Sequence, residues 1–348
     1  MKKIQIILFF IIFHAFVSWA QTPGKYAKVC VAFYNLENLF DTIDGPNNDT
    51  DFLPNGVNQW TSERYLHKQH QMATVISQIG MHGPDIIGVC EIENRNVLED
   101  LIDQPELKHL GYGIAHFDSP DRRGVDCGLL YRKSVFKLTN SSPHFVAIPG
   151  EPEVLTRDIL LVSGSIGGEA IHFLVGHWPS RAGGEKISLN RRMAAARVMK
   201  SVTDSIIKED PAAKVILMGD FNDDPISPSV SKGLDLKDSP DNLKPHELYT
   251  PMKSMFKNGI GTLAYRDTWN LFDILVFNGN LAGNDFSSFK VLQDKKSGYH
   301  AHVFNKKFLL QKYGQYKGYP WRTFAGGRYE GGYSDHLPVY LYLVKELK

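Results

Sequence analysis

The sequence predicts an α/β protein of the α+β kind, in which two packed β-sheets are flanked by helices. Strand-like runs outnumber helical segments, and several of these runs follow one another with no helix between them. Consecutive strands of this kind argue against a parallel barrel of alternating units. The chain also contains no internal repeat and no low-complexity linker, so we expect a single domain over residues 21–348.

The predicted strands are short runs rich in β-branched and apolar residues. In chain order they are "KVCVAFYNL", "DIIGVCEIE", "GVDCGLLYR", "ILLVSGSI", "AIHFLVGHW", "KVILMGDF", "FDILVFNG" and "LPVYLYLV".

Two segments have the apolar spacing of helices. The first, "TSERYLHKQHQMATVISQIG", offers Thr61 or Ser62 as the N-cap and ends at Gly80. The second, "NRRMAAARVMKSVTDSIIKED", is followed by Pro211, which cannot continue a helix. A long stretch at about 286–333 is rich in glycine and aromatic residues but has weak periodicity. We interpret it as a loop insertion, and segments of this size often serve as functional lids.

Residues 1–20 have the layout of a secretory signal peptide. Lys2 and Lys3 form a short positive region, an apolar run follows, and small residues stand at Ser18 and Ala20. The alternative, a membrane anchor, is disfavoured because the run is shorter than the ~20 residues that a span needs. We therefore expect cleavage after Ala20, export to the periplasm or the medium, and no stable membrane anchor in the mature protein.

Charge and cysteine content restrict the function further. Without Lys2 and Lys3 the chain has 37 basic and 38 acidic residues, so it lacks the global basic field that concentrates polyanions. Any phosphate group must therefore be recognised by residues close to it, not by the net charge of the protein. Cys30, Cys90 and Cys127 lie in apolar runs, which favours free buried thiols, although one disulfide plus a spare thiol is the alternative.

Polar residues recur where the predicted strands end, in six separate segments. Polar groups at buried strand ends are costly unless they are paired or bind a metal, so the repetition indicates one convergent site. Taken one at a time, these residues also have a purely structural explanation: a glutamate can be solvated, a histidine can lie in the core, and an Asp or Asn can cap a turn. The residues are Asn35, Glu37, Glu91, Glu93, His177, Asp220, Asn222, Asp273, Asp335 and His336.

The order "YNLEN", "CEIEN", "GHW", "GDFND", "FDILV", "SDHLP" resembles that of the endonuclease/exonuclease/phosphatase superfamily, the deoxyribonuclease-I-like enzymes. The resemblance covers about residues 28–345. It implies a four-layer α/β sandwich with two central mixed sheets, and divalent-metal-dependent hydrolysis of phosphate esters. Hard cations prefer oxygen ligands, so Mg²⁺ is expected, with Mn²⁺ or Ca²⁺ as alternatives.

The resemblance implies a role for each motif residue. Glu91 is expected to be the main metal ligand, and Asn35, Glu37 and Asp335 are expected to converge on the same ion. Asp220 would orient or deprotonate the attacking water, and Asn222 would hydrogen-bond the phosphate.

Two histidines complete the implied site. His336 would contact a phosphate oxygen with Asp273 behind its ring, and His177 would do the same with Asp126 as its partner. Such pairing would make both imidazoles easier to protonate. Arg181, in the long "GHWPSRAGGEK" segment, is a candidate for contact with a second phosphate, or else part of a solvated loop.

The substrate remains open at this level because the fold serves several chemistries. Export favours an endonuclease acting on DNA or RNA, and the interleaved basic and aromatic residues after 294 suit single-stranded nucleic acid. The alternatives are a phosphomonoesterase or lipid phosphodiesterase acting on sugar, inositol or sphingomyelin-type phosphates, and, more remotely, a catalytically inactive binding module. We expect a monomer.

Overall fold

The computed structural model describes residues 26–347, so the predicted signal peptide lies outside the described residues. Two large mixed sheets dominate the described part, as predicted. The strands are β1 (Tyr26–Leu39), β2 (Ile86–Ile92), β3 (Tyr112–His116), β4 (Asp126–Arg132), β5 (Phe136–His144), β6 (Ile159–Ile166), β7 (Glu169–His177), β8 (Lys214–Asp220), β9 (Leu236–Lys237), β10 (Leu248–Tyr249), β11 (Leu263–Tyr265), β12 (Thr268–Asn270), β13 (Asp273–Asn278), β14 (Lys290–Val291), β15 (His302–Val303), β16 (Phe324–Ala325), β17 (Arg328–Tyr329) and β18 (Val339–Glu346).

Helices are fewer and lie outside the sheets. The α-helices are α1 (Ser62–Gln78), α2 (Arg95–Ile102), α3 (Pro105–Lys108), α4 (Leu189–Glu209), α5 (Pro228–Ser231) and α6 (Met252–Lys257). Single 3₁₀ turns occur at Thr50–Phe52, Gly279–Leu281 and Lys307–Leu309. The first predicted helix is capped by Thr61, whose side chain accepts a hydrogen bond from the amide of Arg64. No helix within residues 26–347 is long and apolar enough to span a membrane.

The first sheet has the order β14-β18-β1-β2-β4-β3, with β15 also paired to β18. Its central strand β1 is parallel to β2 and antiparallel to β18. Phe33 of β1 pairs with Val339 of β18, so the residues just before β18 lie beside the carboxyl end of β1. This pairing brings the first and the last strand of the described part of the chain to one edge of the cleft.

The second sheet has the order β5-β6-β7-β8-β13-β10-β9. Strands β7 and β8 are parallel, and β13 is antiparallel to β8. His177 is the register partner of Asp220, which in turn pairs with Asp273. Three predicted site residues therefore stand side by side across three neighbouring strands.

The core divides along the faces of β1, because successive side chains of a strand point to opposite faces. Val31 and Phe33 belong to the cluster that joins the two sheets and α4. Ala32 and Tyr34 belong to the cluster shared with α1 and α2. The result is the predicted four-layer sandwich of helices, sheet, sheet and helix.

The 286–333 segment has more structure than its weak periodicity predicts. It contributes β14 and β15 to the edge of the first sheet and forms the hairpin β16–β17. Cys30, Cys90 and Cys127 are buried and free, which agrees with the favoured interpretation of the thiols.

Candidate active site

The site lies where strands of both sheets end. The second sheet supplies His177, Asp220 and Asp273 from β7, β8 and β13. The first sheet supplies Asn35 from β1 and Glu91 from β2. Because both sheets end at this cleft, residues far apart in sequence can meet.

Irregular backbone turns the key side chains into the cleft. The pairing of β2 with β4 shifts register at Glu91, whose φ of 58° is left-handed. Glu37 and Asn222 have φ values of 49° and 50°. A bulge re-aims a side chain, and a left-handed non-glycine residue costs about 1–3 kcal/mol, so this geometry is sustained by surrounding contacts.

Asn35 joins the two sheets at the cleft floor. Its Nδ2 donates to Glu91 Oε1 and to Asp220 Oδ2, each at 3.1 Å. Ser334 of the "SDH" motif donates its hydroxyl to the Asn35 carbonyl at 2.8 Å and accepts a hydrogen bond from the His336 amide. The serine of the motif thus fixes the final strand against the first.

The predicted pair of His336 and Asp273 is present. His336 Nδ1 lies 2.7 Å from Asp273 Oδ2, and its Nε2 lies 3.7 Å from Asp220 Oδ2. Burial alone would lower the pKa of His336, but the carboxylates of Asp273 and Asp220 outweigh it and raise the pKa well above its ordinary value. Burial and the neighbouring Asp273 and Glu91 carboxylates raise the pKa of Asp220, against the opposing effect of His336.

His177 faces the same point from the other side, but its charge differs from the prediction. Its Nε2 lies 3.7 Å from Asp220 Oδ2 and 3.8 Å from Glu91 Oε1. Burial, Arg157 and Arg123 lower the pKa of His177 well below its usual range. The expectation that both imidazoles are readily protonated is therefore wrong for His177.

The predicted pairing of Asp126 with His177 is also wrong. Asp126 lies 3.1 Å from His116 Nε2 and accepts hydrogen bonds from the amide and hydroxyl of Ser119. The Nδ1 atom of His177 is buried and has no hydrogen-bond partner within the described part of the chain. Asp126 is the first residue of β4, and its carboxylate is held by His116 and Ser119 instead of His177.

The predicted metal ligands separate into two groups, and the first consists of Asn35 and Glu91. Glu91 also lies close to His177 and Asp220, which were predicted to be catalytic: each of the three offers an atom, and these atoms lie within 4.8 Å of one another. Among residues 26–347, no Lys or Arg forms an ion pair with Glu91, whose carboxylate accepts hydrogen bonds from the Asn35 side chain and the Asn38 amide. Carboxylate oxygens without a basic partner of this kind suit a hard divalent cation, so Glu91 and Asp220 fit such an ion with Asn35 beside them.

Glu37 and Asp335 form the second group, and basic side chains neutralise them. Glu37 accepts hydrogen bonds from Arg322 Nε at 3.0 Å and from the Thr323 amide at 2.7 Å, and Lys68 Nζ lies 3.9 Å away. Asp335 lies 2.9 Å from the Arg322 guanidinium. Basic side chains already balance their charge, and their expected role as metal ligands stays a prediction.

The "GDFNDD" loop after β8 is braced from within. Asn222 donates its Nδ2 to the Trp178 carbonyl at 3.0 Å, and Arg181 donates to Asp223 and Asp224. Arg181 also stacks over the Phe272 ring. The Arg181 guanidinium therefore holds this loop in place, and its contact with a substrate phosphate stays a prediction.

Sequence reasoning missed three basic residues around the cleft. Arg157 donates to the carbonyls of His177 and Trp178, Lys68 lies beside Glu37, and Arg322 bridges Glu37 and Asp335. Lys68 sits on the buried face of α1, where a lysine is unusual without a partner. Its place on the apolar face of the predicted helix was the one signal available in the sequence. Arg157 and Arg322 lie in segments without periodicity, which gave no such signal.

A cavity of about 490 Å³ opens beside Asp335 and Arg322. Its walls come from the β11–β12 hairpin and the 311–330 part of the insertion. The aromatic lining residues are Tyr265, Tyr316, Tyr319, Trp321 and Phe324. A groove with both aromatic faces and charged groups therefore adjoins this cleft.

The profile of the Endonuclease/Exonuclease/phosphatase family matches residues 30–345. The chain belongs to this family. No curated protein matches the sequence. Among solved structures, truncated Caenorhabditis elegans TDP2 is 17% identical, with a TM-score of 0.54 over 91% of this chain and 97% of that one.

Two further structures of the family share the fold. A family protein from Bacteroides thetaiotaomicron is 17% identical, with a TM-score of 0.53 over 93% of this chain and 100% of that one. D. rerio TDP2 complexed with a single-strand DNA product is 16% identical, with a TM-score of 0.50 over 91% and 99% of the two chains. At these identities the similarity establishes the deoxyribonuclease-I-like fold.

Proposed function

We propose that the chain is a divalent-metal-dependent phosphodiesterase that cleaves DNA or RNA. The observation that carries the proposal is the position of Asp220, whose Oδ2 lies 3.7 Å from the Nε2 atoms of both His177 and His336. A carboxylate oxygen of Glu91 lies within 4.8 Å of Asp220 and His177. A carboxylate between two imidazoles and a cation site matches what phosphate ester hydrolysis requires.

The residues divide the chemistry between them. A divalent cation at Glu91, when bound, would neutralise phosphate oxygens and favour ionisation of water. Asp220, with its raised pKa, accepts the proton as the water oxygen bonds to phosphorus and the ester oxygen leaves. The charged His336 donates to a phosphate oxygen, and Asp273 holds the ring in place.

Nucleic acid is favoured over other esters by the adjoining cavity. Aromatic faces stack on bases, and a guanidinium attracts the backbone of a single strand. Tyr316, Trp321 and Arg322 offer both kinds of group next to Asp335. The single-strand DNA product held by the D. rerio relative is consistent with this choice.

A substrate panel tests the proposal. Purified protein lacking residues 1–20 is assayed with single-stranded DNA, plasmid, RNA, bis-p-nitrophenyl phosphate, sugar phosphates and sphingomyelin, with Mg²⁺ or Mn²⁺ and with EDTA. We expect EDTA-sensitive cleavage that is fastest on single strands. Preference for a sugar phosphate or sphingomyelin would favour the phosphomonoesterase or the lipid phosphodiesterase, and inactivity on every substrate would favour a binding module.

Export and a monomeric state complete the proposal. The N-terminal sequence supports export, with cleavage after Ala20. Mass spectrometry of protein recovered from the periplasm and the medium would locate the mature N-terminus, and light scattering would give the molar mass. Full-length protein retained in the cytoplasm, or a dimeric mass, would contradict these parts.

A further inference from the structure

Two arginines on the His177 side of the cleft carry more positive charge than the protein balances. Arg157 Nη1 lies 3.0 Å from Asp121 Oδ2, and Arg123 Nη2 lies 3.2 Å from the same oxygen. Among residues 26–347, neither arginine forms an ion pair with another carboxylate. Two guanidinium groups share one carboxylate, so this cluster keeps one uncompensated positive charge.

The ion pairs on the His336 side of the cleft differ, because their charges cancel. Arg322 pairs with both Glu37 and Asp335, and Lys68 lies 3.9 Å from Glu37. Two basic and two acidic side chains therefore stand together there. Of these two groups of ion pairs, the one on the His177 side has the excess positive charge.

Arg157 attaches the arginine cluster to the active site. It is 5% exposed, and it donates to the carbonyls of His177 at 3.0 Å and Trp178 at 2.6 Å. The buried Asp121 carboxylate joins Arg157 to Arg123, so Arg123 stands two side-chain contacts away from His177. Burial, Arg157 and Arg123 together lower the pKa of His177, which shows that the Arg123 charge acts on the cleft.

Arg123 is the member of the cluster that a ligand can reach. Its side chain is 60% exposed, and its Nε and Nη2 donate to the two oxygens of Asp121, each at 3.2 Å. Its Nη1 makes no hydrogen bond within the described residues, so it is available to a ligand. A guanidinium held in a fixed orientation, with N–H groups still free, suits the geometry of a phosphate.

The neighbouring residues of the same loop line a different surface. Asp121, Arg122 and Gly124 line an open hollow of about 430 Å³, whereas Arg123 is not part of its lining. That lining contains neither Glu91 nor His177, so the hollow is separate from the active site. Arg122 is exposed like Arg123, and it therefore provides a control of the same charge in the same loop.

We propose that Arg123 binds a second phosphate of the substrate strand, next to the phosphate that is hydrolysed. This inference rests on the proposed function and narrows it to a substrate that continues beyond the scissile phosphate on the His177 side. The aromatic cavity lies beside Asp335, on the His336 side. A strand held by both would cross the whole site, as cleavage within a chain requires. Sphingomyelin has a single phosphate and would lack the contact with Arg123.

The experiment compares nucleoside p-nitrophenyl phosphodiesters with and without a second phosphate on the same sugar. With Mg²⁺, we expect wild type to cleave one of the doubly phosphorylated esters with a kcat/KM about 10- to 100-fold above that of its parent, as a charge-assisted hydrogen bond allows. Arg123→Gln should lose this advantage. Arg123→Lys should retain part of it, because lysine keeps the charge without the planar fork. Arg122→Gln should retain all of it.

A second readout needs no cleavage. The binding of a labelled single-stranded oligonucleotide is measured in EDTA at several salt concentrations. Each phosphate contact contributes about 0.7 to the slope of log affinity against log salt, so the slope for Arg123→Gln should be shallower than that of wild type by about 0.7. Arg122→Gln should keep the wild-type slope. Asp121 keeps its pairing with Arg157 in Arg123→Gln, so this variant should fold, with a Tm within about 2 °C of wild type.

The outcomes separate this inference from the proposed function. If wild type cleaves single-stranded DNA but gains nothing from a second phosphate, the role of Arg123 is overturned and the proposed function stands. The same holds if Arg123→Gln keeps both the advantage and the wild-type slope, or if Arg122→Gln loses as much as Arg123→Gln. A wild-type protein that neither binds nor cleaves any of these nucleic acids and esters would overturn the proposed function together with the role of Arg123.

Discussion

The Arg322 guanidinium lies 2.9 Å from the Asp335 carboxylate, and the same side chain donates to Glu37. Arg322 belongs to the 286–333 segment, so this segment neutralises two carboxylates at the cleft. Glu91 and Asp220 form no ion pair with a Lys or Arg among residues 26–347, so they are the cation ligands that we propose.

Replacement of Glu37 should therefore affect the stability of the protein more than its activity. We expect Glu37→Gln to lower the free energy of unfolding by about 3 kcal/mol, because it leaves the buried Lys68 without its counter-charge. The apparent affinity for Mg²⁺ should change less than threefold. Denaturant unfolding and a Mg²⁺ titration of activity measure the two quantities. A tenfold loss of Mg²⁺ affinity with unchanged stability would indicate that Glu37 is a metal ligand, as the sequence predicts.

The Asp273 carboxylate should set the upper pH limit of activity. Its contact with His336 raises the histidine pKa, so the charged form persists below that raised value and is lost as pH rises through it. In Asp273→Asn the pKa falls, and the alkaline decline in kcat/KM should begin at lower pH. We also expect kcat to fall by about 10²–10⁴.

His177→Gln is the comparison for this experiment. Since the pKa of His177 is already lowered, its replacement should reduce kcat without moving the alkaline limb. Rate–pH profiles on bis-p-nitrophenyl phosphate at saturating Mg²⁺ would show the difference. An Asp273→Asn profile with the wild-type alkaline limb would refute the assigned relationship.

Glu169 should contribute stability that depends on pH. Its carboxylate lies 2.8 Å from Lys214 Nζ and 2.7 Å from Lys345 Nζ, which joins β8 to β18 across the two sheets. Burial would raise the pKa of Glu169, but the hydrogen bonds from Lys214 and Lys345 lower it. Its stabilisation is therefore present above the ordinary glutamate pKa of about 4.3 and is lost as pH falls through the lower folded value.

The Glu169→Gln variant measures this contribution. At pH 7 we expect it to be about 1–2 kcal/mol less stable than wild type, with the gap closing below about pH 4. Urea unfolding at several pH values gives the comparison. Glu153→Gln removes an exposed carboxylate that has no ion pair within the described residues, and it should show no such gap. A gap that stays constant down to about pH 3 would contradict the assignment.

Substitutions in the aromatic cavity should reduce the cleavage of polynucleotides more than the cleavage of small esters. Tyr316 lines the cavity and is 39% exposed, whereas Tyr313 is 81% exposed and lies outside the lining. Stacking on a base is worth about 1–3 kcal/mol, so Tyr316→Ala should lower kcat/KM on single-stranded DNA by about 5- to 150-fold. Cleavage of bis-p-nitrophenyl phosphate should not change, and Tyr313→Ala should affect neither substrate. Equal losses on both substrates would mean that the cavity is only structural.

The sequence was a good guide wherever backbone pattern decides position. Strand-end residues such as Asp220 and Asp273 meet because apolar runs set the register of β8 and β13. The pairing of His336 with Asp273, which the family resemblance implied, is also present.

The partners of individual side chains were harder to predict, because they depend on the conformation of loops and bulges. Asp126 is taken by the neighbouring Ser119 and His116, and Glu37 by a residue 285 positions away. Arg322 lies in a segment without periodicity, so no local pattern indicates where it points. A motif predicts which residues reach the cleft, but only the packed structure shows whose charge is already balanced.

The most direct test of the account is the Mg²⁺-dependent cleavage of a single-stranded oligonucleotide by wild type and Glu91→Gln, with the Tm of both proteins recorded. We expect EDTA-sensitive cleavage by wild type and a loss of at least about 10²-fold in Glu91→Gln, with Tm values within about 2 °C in the absence of added metal. A Glu91→Gln protein that cleaves at the wild-type rate, with the same dependence on Mg²⁺, would contradict the account.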